Sequence, residues 1–250
     1  MEDRHILSVK KLNKAFGGIQ AVSNISFDLK QGEFLGIIGP NGSGKSTLVN
    51  LISGFIKPTS GKIYYRGRDI TGKRPDSIVN LGIARTFQMA KAYYEFPAYK
   101  NIVIPLCSPR VKGFRGGIYG ERDDVAIDLL EEVGFERDSA VPLKITGSLP
   151  HGYLKRLELA RCIALRADII ILDELFSGMS MAEVAGTMPI IEKLKVEGKT
   201  IIMIEHRLKE LFRVVNSLVV LNYGEIIAQG QPKAVMETEA VKKAYLGFEE

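Results

Sequence analysis

The sequence contains little cysteine. Its 250 residues include two, Cys107 and Cys162, which do not form a C-x-x-C pair. A disulfide framework is therefore not expected, and the cysteine content is typical of a reducing compartment. Cys162 falls on the apolar side of a predicted helix and is expected in the core, whereas the pattern does not place Cys107.

Long apolar runs are also missing. The longest, such as IIIL at 169–172, have the length of a strand and are far shorter than a membrane span. The first residues, MEDRHILSVKK, are charged throughout and do not resemble a signal peptide. We therefore expect a cytosolic protein that reaches a membrane only through a partner or through its surface.

The charge balance is not extreme. The chain has 34 Lys and Arg against 29 Asp and Glu, a net charge of +5, and the basic residues are scattered among acids. This dispersal favours a solvated surface over a face that binds a polyanion. Apolar residues make up 46% and charged residues 25%, as in ordinary soluble proteins. The sequence shows no internal repeat and no low-complexity tract.

Short apolar runs alternate with helical patterns along the chain. Strands are predicted in ILSVKKL, SNISFDL, EFLGIIG, GKIYYRG, DIIILDE, TIIMIEH and SLVVLNYGEIIAQG, the last as two strands joined at 222–224. KSTLVNLISGF is predicted to be a helix that stops at Gly54, and MAEVAGTMPIIEKLKVEG a helix that kinks or breaks at Pro189. The buried runs favour a largely parallel sheet covered on both faces.

Residues 88–165 have a different sequence pattern, which predicts mainly helices. They include the loop RVKGFRGGIYGERDD, rich in Gly and Arg, and a predicted helix around DDVAIDLLEEVGF. We interpret them as a subdomain inserted into a core formed by 1–87 and 166–250, because the alternation of strands and helices resumes afterwards. Together they are predicted to form one domain over residues 1–250.

The strongest motif is GPNGSGKST at 39–47, which matches G-x-x-x-x-G-K-[ST]. Glycines allow such a loop to wrap so that successive N–H groups point at phosphate oxygens, and the following helix adds its N-terminal dipole. Lys45 would reach the β- and γ-phosphates, and the Ser46 hydroxyl would bind Mg²⁺. The predicted nucleotide-binding residues of this loop are Gly39, Pro40, Asn41, Gly42, Ser43, Gly44, Lys45, Ser46 and Thr47.

A second motif, DIIILDEL at 168–175, places acids at the end of a buried strand. The carboxyl edge of a parallel sheet is where ligands bind in such folds. Asp173 is therefore a candidate ligand for Mg²⁺, and Glu174 is a candidate to polarise the attacking water. Without the glycine-rich loop, the same residues could be a strand that runs into an acidic loop.

Three further residues are weaker candidates. His206 follows the strand TIIMIE and can bond a γ-phosphate or the attacking water, although a lone histidine is usually structural. Gln88 follows a short strand and can bind Mg²⁺ or water, unless it is only a polar loop residue. Phe16 ends the first strand region and could stack on adenine, or could pack in the core.

Together and in this order, the motifs resemble those of the ATP-binding subunit of an ABC transporter. The resemblance covers essentially the whole chain and implies a P-loop NTPase fold of the RecA type, with an antiparallel N-terminal β subdomain and a helical signature subdomain. The phrases GGIQAVSNISF, LVNLISGFIKPTSGKI, LGIARTFQ, LPHG and IEHRL are similar to one branch, the importers of branched-chain and related hydrophobic amino acids or amides. The implied cofactors are ATP and Mg²⁺.

The resemblance also assigns a role to SLPHGYLKRLELARCIAL at 148–165, as the place of the family signature LSGGQ, which closes over the ATP of an opposite subunit. Only Leu149 and Gly152 match it here. Pro150 stands in place of the serine and supplies neither a hydroxyl nor an N–H. Leu175 stands where the family usually has proline, and Ser180 stands for an aspartate.

The resemblance implies an ATPase on the cytoplasmic face of the membrane. Its partners would be transmembrane permease subunits, a second ATP-binding subunit of the same or another kind and, indirectly, an external substrate-binding protein. The permease would contact the groove around Gln88 and the segment AYYEFPAYK, unless those aromatics form the subdomain core. An ABC ATPase for another cargo, such as a lipid exporter, remains an alternative. A soluble ABC protein acting on nucleic acid would carry two cassettes or a long coiled-coil insertion, so no nucleic-acid partner is expected.

Overall fold

The computed structural model describes residues 5–112 and 122–246. The strands are β1 His5–Phe16, β2 Ile19–Lys30, β3 Phe34–Ile38, β4 Ser60–Tyr65, β5 Arg68–Asp69, β6 Ile83–Arg85, β7 Ile169–Asp173, β8 Thr200–Ile204, β9 Ser217–Asn222 and β10 Glu225–Gly230. The α-helices are α1 Lys45–Ile52, α2 Pro75–Leu81, α3 Ala98–Leu106, α4 Pro109–Lys112, α5 Arg122–Glu132, α6 His151–Ala164, α7 Met181–Val196, α8 Leu208–Val214, α9 Pro232–Met236 and α10 Glu239–Leu246. All seven predicted strand segments are strands.

The chain divides into two compact units. The first is formed by Met1–Ile78 and Gly198–Glu250, and the second by Val79–Glu197. The second unit contains the whole of the predicted helical subdomain, residues 88–165, together with β6, β7 and α7. Most of the Gly- and Arg-rich loop lies outside the described residues.

The first unit contains an antiparallel sheet in the order β2-β1-β4-β5. Its β2 strand alternates strictly over the predicted segment, because Ile25, Phe27 and Leu29 are buried and the residues between them are exposed. A period of two places the apolar side chains on one face of a strand. This sheet is the N-terminal antiparallel β subdomain that the resemblance implied.

A second set of strands in the first unit runs in the order β10-β9-β3-β8. The strand β3 pairs in parallel with both β8 and β9, and β10 is antiparallel to β9. Every residue of β3 and β8 is buried, as expected for strands covered on both faces. Positive φ angles at Tyr223 and Gly224 make the tight turn that joins β9 to β10, where the sequence predicted a junction.

The second unit combines two parallel strands with packed helices. Strands β6 and β7 pair in parallel, with Ile83 opposite Ile169. Helix α3 packs against α5 and α6, and α6 packs against α7. Cys162 of α6 is buried, as predicted, and burial raises the pKa of its thiol, whereas Cys107 at the end of α3 is exposed. Neither cysteine forms a disulfide.

The sequence predicted a kink or a break at Pro189, and the break is wrong, because α7 continues through this residue from Met181 to Val196. A proline inside a helix removes one hydrogen bond to the carbonyl four residues earlier. Here that carbonyl belongs to Ala185, and both Ala185 and Pro189 lie on the exposed side of the helix. Water can therefore solvate the carbonyl that loses its partner. Within residues 5–112 and 122–246, no helix is long and apolar enough to cross a membrane.

Candidate functional site

The glycine-rich loop at 39–47 joins the buried end of β3 to the first turn of α1. Gly39 has φ 155° and Gly44 has φ 101°, values that other residues rarely adopt. A Cβ atom at position 39 would lie 2.1 Å from the Leu221 carbonyl oxygen, and one at position 44 would lie 2.5 Å from the Ala21 carbonyl oxygen. Both glycines are therefore required by the fold of the loop.

Lys45 is buried at the start of α1, with 6% of its surface exposed. Its ammonium group donates hydrogen bonds to the carbonyl oxygens of Gly39 at 2.7 Å and Pro40 at 2.8 Å. The Ser43 hydroxyl lies 3.4 Å from the same nitrogen. The first turn of α1 carries no acidic residue, so the helix dipole and the ammonium give this loop a positive potential. Such a loop is suited to binding phosphate.

The second unit brings together the predicted acids and the predicted glutamine. Asp173 is the last residue of β7, and Glu174 follows it directly. The Gln88 amide nitrogen donates to a Glu174 carboxylate oxygen at 2.7 Å, although the two residues are 86 positions apart. Glu174 has φ 49°, in the left-handed region, which costs about 1–3 kcal/mol for a residue other than glycine. Strain of this kind persists only where the surroundings hold it, and it often marks functional sites.

The partner of Asp173 was not predicted from the sequence. Arg85 of β6 lies with its guanidinium Nη2 2.6 Å from Oδ2 of Asp173, and both side chains are almost fully buried. The backbone N–H of Asp173 donates to the Thr86 hydroxyl at 3.1 Å. Removing one partner of a buried ion pair typically costs about 3–5 kcal/mol. The available signal was the position of Arg85, three residues before Gln88 in the phrase ARTFQ.

Two predicted residues belong to the first unit. His206 follows β8 and is exposed, as a residue available to a ligand must be. Phe16 is the last residue of β1 and is 48% exposed, so the alternative that it packs in the core is wrong. The Lys14 ammonium lies 4.8 Å from the centre of the Phe16 ring. Stacking of Phe16 on adenine stays a prediction.

The predicted metal ligands carry oxygen donors of the kind that Mg²⁺ prefers: the Ser46 hydroxyl, the Gln88 amide and the Asp173 carboxylate. Ser46 is exposed at the start of α1. Among the described residues, no group of three or more His, Cys, Asp or Glu side chains is placed to hold a metal ion. By donor chemistry, each of the three predicted side chains taken singly fits Mg²⁺, which takes oxygen ligands.

Residues 22–177, more than half of the chain, match the family model described as ABC transporter. The chain belongs to the ABC transporter family. It is similar to the high-affinity branched-chain amino acid transport ATP-binding protein BraF of Pseudomonas aeruginosa, with 33% identity over 98% of both chains. The corresponding protein LivG of Escherichia coli is 31% identical over 97% of this chain and 98% of its own length.

Solved structures of ABC cassettes also resemble the chain. A nucleotide-free ATP-binding cassette from an ABC transporter superposes with a TM-score of 0.84 at 30% identity, covering 98% of this chain and all of that one. The ADP conformation of another such cassette gives a TM-score of 0.83, also at 30% identity, covering 98% and 99%. The predicted α/β fold is therefore confirmed, and the chain is the ATP-binding and ATP-hydrolysing subunit of an ABC transporter.

In this ABC subunit, the segment that the resemblance assigns to the signature lies against the loop that follows Glu174, because His151 Nε2 lies 3.0 Å from the Ser177 carbonyl oxygen. Leu149 is buried, and Pro150 is the N-cap of α6 but makes no side-chain capping bond. The Gly152 N–H instead donates to a carboxylate oxygen of Glu183 at 3.1 Å. A Cβ atom at position 152 would lie 2.4 Å from that oxygen, so the glycine makes room for the carboxylate.

The Glu183 carboxylate accepts hydrogen bonds at the starts of both α6 and α7. Ser180 is the N-cap of α7, and its hydroxyl accepts a hydrogen bond from the Glu183 N–H while the Glu183 carboxylate accepts from the Ser180 N–H, a capping box. Ser180, which stands where the resemblance places an aspartate, therefore acts within its own chain as the N-cap of α7. The Gly152 N–H, which the resemblance directs at the ATP of an opposite subunit, is bonded within its own chain.

The segment AYYEFPAYK in this ABC subunit presents an aromatic surface. Tyr93, Tyr94 and Phe96 are each between 45% and 49% exposed. Together with Glu95 they line a shallow cavity of about 300 Å³. The alternative that these aromatics form the core of the helical subdomain is therefore wrong.

The contacts of Glu183 predict a pH-dependent contribution to stability. The hydrogen bonds from Ser180, first from its N–H and then from its hydroxyl, together with the bond from Gly152, lower the pKa of Glu183 below its ordinary value of 4.5. A group whose pKa is lowered by folding stabilises the fold above its unfolded pKa and loses that effect as the pH falls through the folded value. We expect Glu183→Gln, which removes a negative charge from the start of α7, to lower the free energy of unfolding by up to about 1 kcal/mol at pH 7, and the difference to shrink below pH 4.5.

Urea unfolding of both proteins between pH 3 and pH 8 measures this effect. The control is Glu132→Gln, because Glu132 is exposed at the end of α5 and is expected to change stability by less than about 0.5 kcal/mol at any pH. A constant difference between wild type and Glu183→Gln across this range would contradict the assignment.

Proposed function

We propose that this chain is the ATP-hydrolysing subunit of a membrane importer for branched-chain or related hydrophobic amino acids. The observation that carries the proposal is the likeness to BraF and LivG along nearly the whole chain, including the segments outside the family model. In the proposed arrangement the cargo never contacts this subunit. The residues of the chain therefore support only the use of ATP, and the identity of the cargo is inferred from the relatives.

The glycine-rich loop is proposed to hold the phosphates of ATP. The amide groups at the start of α1 and the helix dipole would face the phosphate oxygens, and Lys45 would contribute the charge that binds the β- and γ-phosphates. Ser46, Asp173 and Gln88 would hold Mg²⁺, which neutralises charge that builds up on the phosphates. Phe16 would stack on the adenine ring.

Glu174 is proposed to polarise the attacking water, with Gln88 and His206 as assisting residues. A carboxylate can accept a proton from water as the water attacks the γ-phosphorus, whereas an amide cannot. The hydrogen bond from Gln88 to Glu174 keeps this carboxylate oriented, which supports the assignment. The Arg85 guanidinium pairs with the Asp173 carboxylate at 2.6 Å and holds it at the end of β7.

The proposed partners follow from the exposed surfaces. The aromatic surface of Tyr93, Tyr94 and Phe96 offers a place for a helix of a permease subunit, which would attach the chain to the cytoplasmic face of the membrane. A second ATP-binding subunit would complete the nucleotide site, with the loop around Leu149 and Gly152 facing the partner's ATP. An external substrate-binding protein would deliver cargo to the permeases.

Glu174→Gln tests the catalytic assignment and the cargo together. We expect the purified variant to bind ATP with a Kd within threefold of wild type, because the phosphate-binding loop is unchanged, and to release phosphate at least 100-fold more slowly. In the native organism the same substitution should reduce leucine uptake at least tenfold.

Isothermal titration, phosphate release and uptake of radiolabelled leucine provide the three readouts, with Glu132→Gln as the matched control. Wild-type hydrolysis in the Glu174 variant would mean that another residue is the base. Loss of hydrolysis in Glu174→Gln with normal leucine uptake would exclude this cargo. Accumulation of lipid on the inner side of the membrane in the same variant would indicate a lipid exporter instead.

Ala92→Glu tests the permease contact. Ala92 lies in the partly exposed segment just before the aromatic surface, so a charge there should repel an apolar helix. We expect ATP binding and the basal hydrolysis of the isolated chain to stay within twofold of wild type, and transport in reconstituted vesicles to fall at least tenfold. Ala234→Glu, at an exposed position of α9, is the matched control. Normal transport by the Ala92 variant would place the permease elsewhere.

Pro150→Ser tests whether the missing serine hydroxyl weakens ATP-dependent dimer formation. The serine would restore a hydroxyl at the N-cap of α6, where a charge-assisted bond to phosphate is worth about 1.5–3 kcal/mol. On a Glu174→Gln background, we expect ATP-dependent homodimers in size-exclusion chromatography to increase at least fivefold. The hydroxyl also caps its own helix, so the thermal midpoint without ATP is measured in parallel. A rise in thermal stability without more dimer would show that the hydroxyl acts only as a cap.

A further inference from the structure

Lys155 is a lysine in the middle of α6 whose side chain is completely buried, with 0% of its surface exposed. A buried ammonium group is strongly unfavourable unless polar groups of the protein replace its water. Lys155 meets this requirement with the Gln88 carbonyl oxygen at 2.6 Å and the Glu174 carbonyl oxygen at 3.3 Å. Both partners are the backbones of residues that have proposed catalytic roles.

The bond to Glu174 falls where the backbone is strained. Glu174 has φ 49°, and such a conformation persists only when its surroundings determine it. Its carbonyl oxygen accepts from the Lys155 ammonium and also from the Ser177 N–H at 3.1 Å. These two donors fix the peptide group that follows Glu174, and the direction of its side chain depends on that peptide.

The bond to Gln88 fixes the other member of the pair. Gln88 lies in the segment between β6 and α3, which has no regular secondary structure of its own to hold it. The same helix α6 holds this segment a second time, because Arg161 Nη1 donates to the Lys91 carbonyl oxygen at 2.6 Å. The Gln88 amide then donates to the Glu174 carboxylate at 2.7 Å. Lys155 therefore closes a triangle: it binds both backbones, and the two side chains bind each other.

We propose that Lys155 is a positioning residue for ATP hydrolysis, a role that rests on the catalytic functions proposed above for Glu174 and Gln88. Its ammonium ties the backbones of both residues to α6, and α6 begins at the signature loop. The alignment of the water-activating carboxylate with its amide partner then depends on a charge that contacts neither ATP nor water. Lys155, although basic, therefore bonds to backbone carbonyls in the interior of the protein and not to solvent.

The chain offers a matched control in the next residue. Arg156 of the same helix also donates to a backbone carbonyl, that of Gly134 at 2.9 Å, and its guanidinium lies 4.4 Å from the centre of the Tyr153 ring. These contacts hold the segment after α5 and do not involve Gln88 or Glu174. A loss that comes only from a weakened helix α6 should therefore appear in Arg156→Met as well as in Lys155→Met.

Lys155→Met keeps the length and the apolar stem of the side chain and removes its donors. We expect the purified full-length variant to bind ATP with a Kd within threefold of wild type, while its kcat falls at least tenfold. Lys155→Arg, which retains donors, should return kcat to within threefold of wild type, and Arg156→Met should keep at least half of it. Hydrogen exchange of the Ser177 amide should become at least fivefold faster in Lys155→Met and stay unchanged in Arg156→Met.

The proposal is overturned if Lys155→Met keeps kcat within threefold of wild type, if Arg156→Met loses as much, or if ATP affinity falls by the same factor as kcat. If Lys155→Met does not fold, Lys155→Leu, which also lacks a hydrogen-bond donor, is judged by the same criteria. Glu174→Gln is measured beside these variants. Normal hydrolysis in that protein would refute the proposed role of Glu174 itself, whereas slow hydrolysis there with normal hydrolysis in Lys155→Met would refute only the role of Lys155.

Discussion

The Lys45 ammonium lies within hydrogen-bond distance of the Gly39 and Pro40 carbonyl oxygens, inside the loop that joins β3 to α1. A buried ammonium is tolerated only where oxygen atoms surround it, so this one charge fixes the curvature of the loop. The glycines at 39 and 44 follow from that curvature, because a side chain at either position would collide with a neighbouring carbonyl. The direction of the helix dipole of α1, and with it the affinity for phosphate, depends on the same geometry.

Buried cations organise the second unit in the same way. Arg85 holds the carboxylate of Asp173 at the end of β7, and Lys155 holds the carbonyl oxygens of Gln88 and Glu174. Asp173, Glu174 and Gln88, the residues proposed to act in hydrolysis, are thus held by charges that the protein itself must satisfy. Removing one partner of a buried ion pair is strongly destabilising, because the other charge is then left without compensation. That dependence suits a site whose groups must be aligned before water attacks.

The sequence was sufficient for the parts of the site that are local. The glycine-rich loop, the acids after β7 and the strands that precede them follow from short patterns, since each depends on neighbouring residues. The contacts that hold the site together could not be predicted, because Arg85 and Asp173 are 88 residues apart and Lys155 and Gln88 are 67 apart. The break predicted at Pro189 is wrong for the opposite reason: the proline rule is local, and here the carbonyl that loses its hydrogen bond lies on the exposed side of α7. The hydrogen bond between Gly152 and Glu183 could not be predicted from the sequence either. It accounts for the glycine at this position, because a Cβ atom there would collide with the Glu183 carboxylate.

The two cysteines differ in a way that has a practical consequence. Thiols react as thiolates, and burial in α6 raises the pKa of Cys162, so this thiol remains protonated and unreactive near neutral pH. Cys107 is exposed at the end of α3, in the same unit as the aromatic surface. A maleimide fluorophore should therefore attach at a single position of the native chain without any engineered cysteine. Movements of the helical part of the second unit during the nucleotide cycle can then be followed by the emission of one dye.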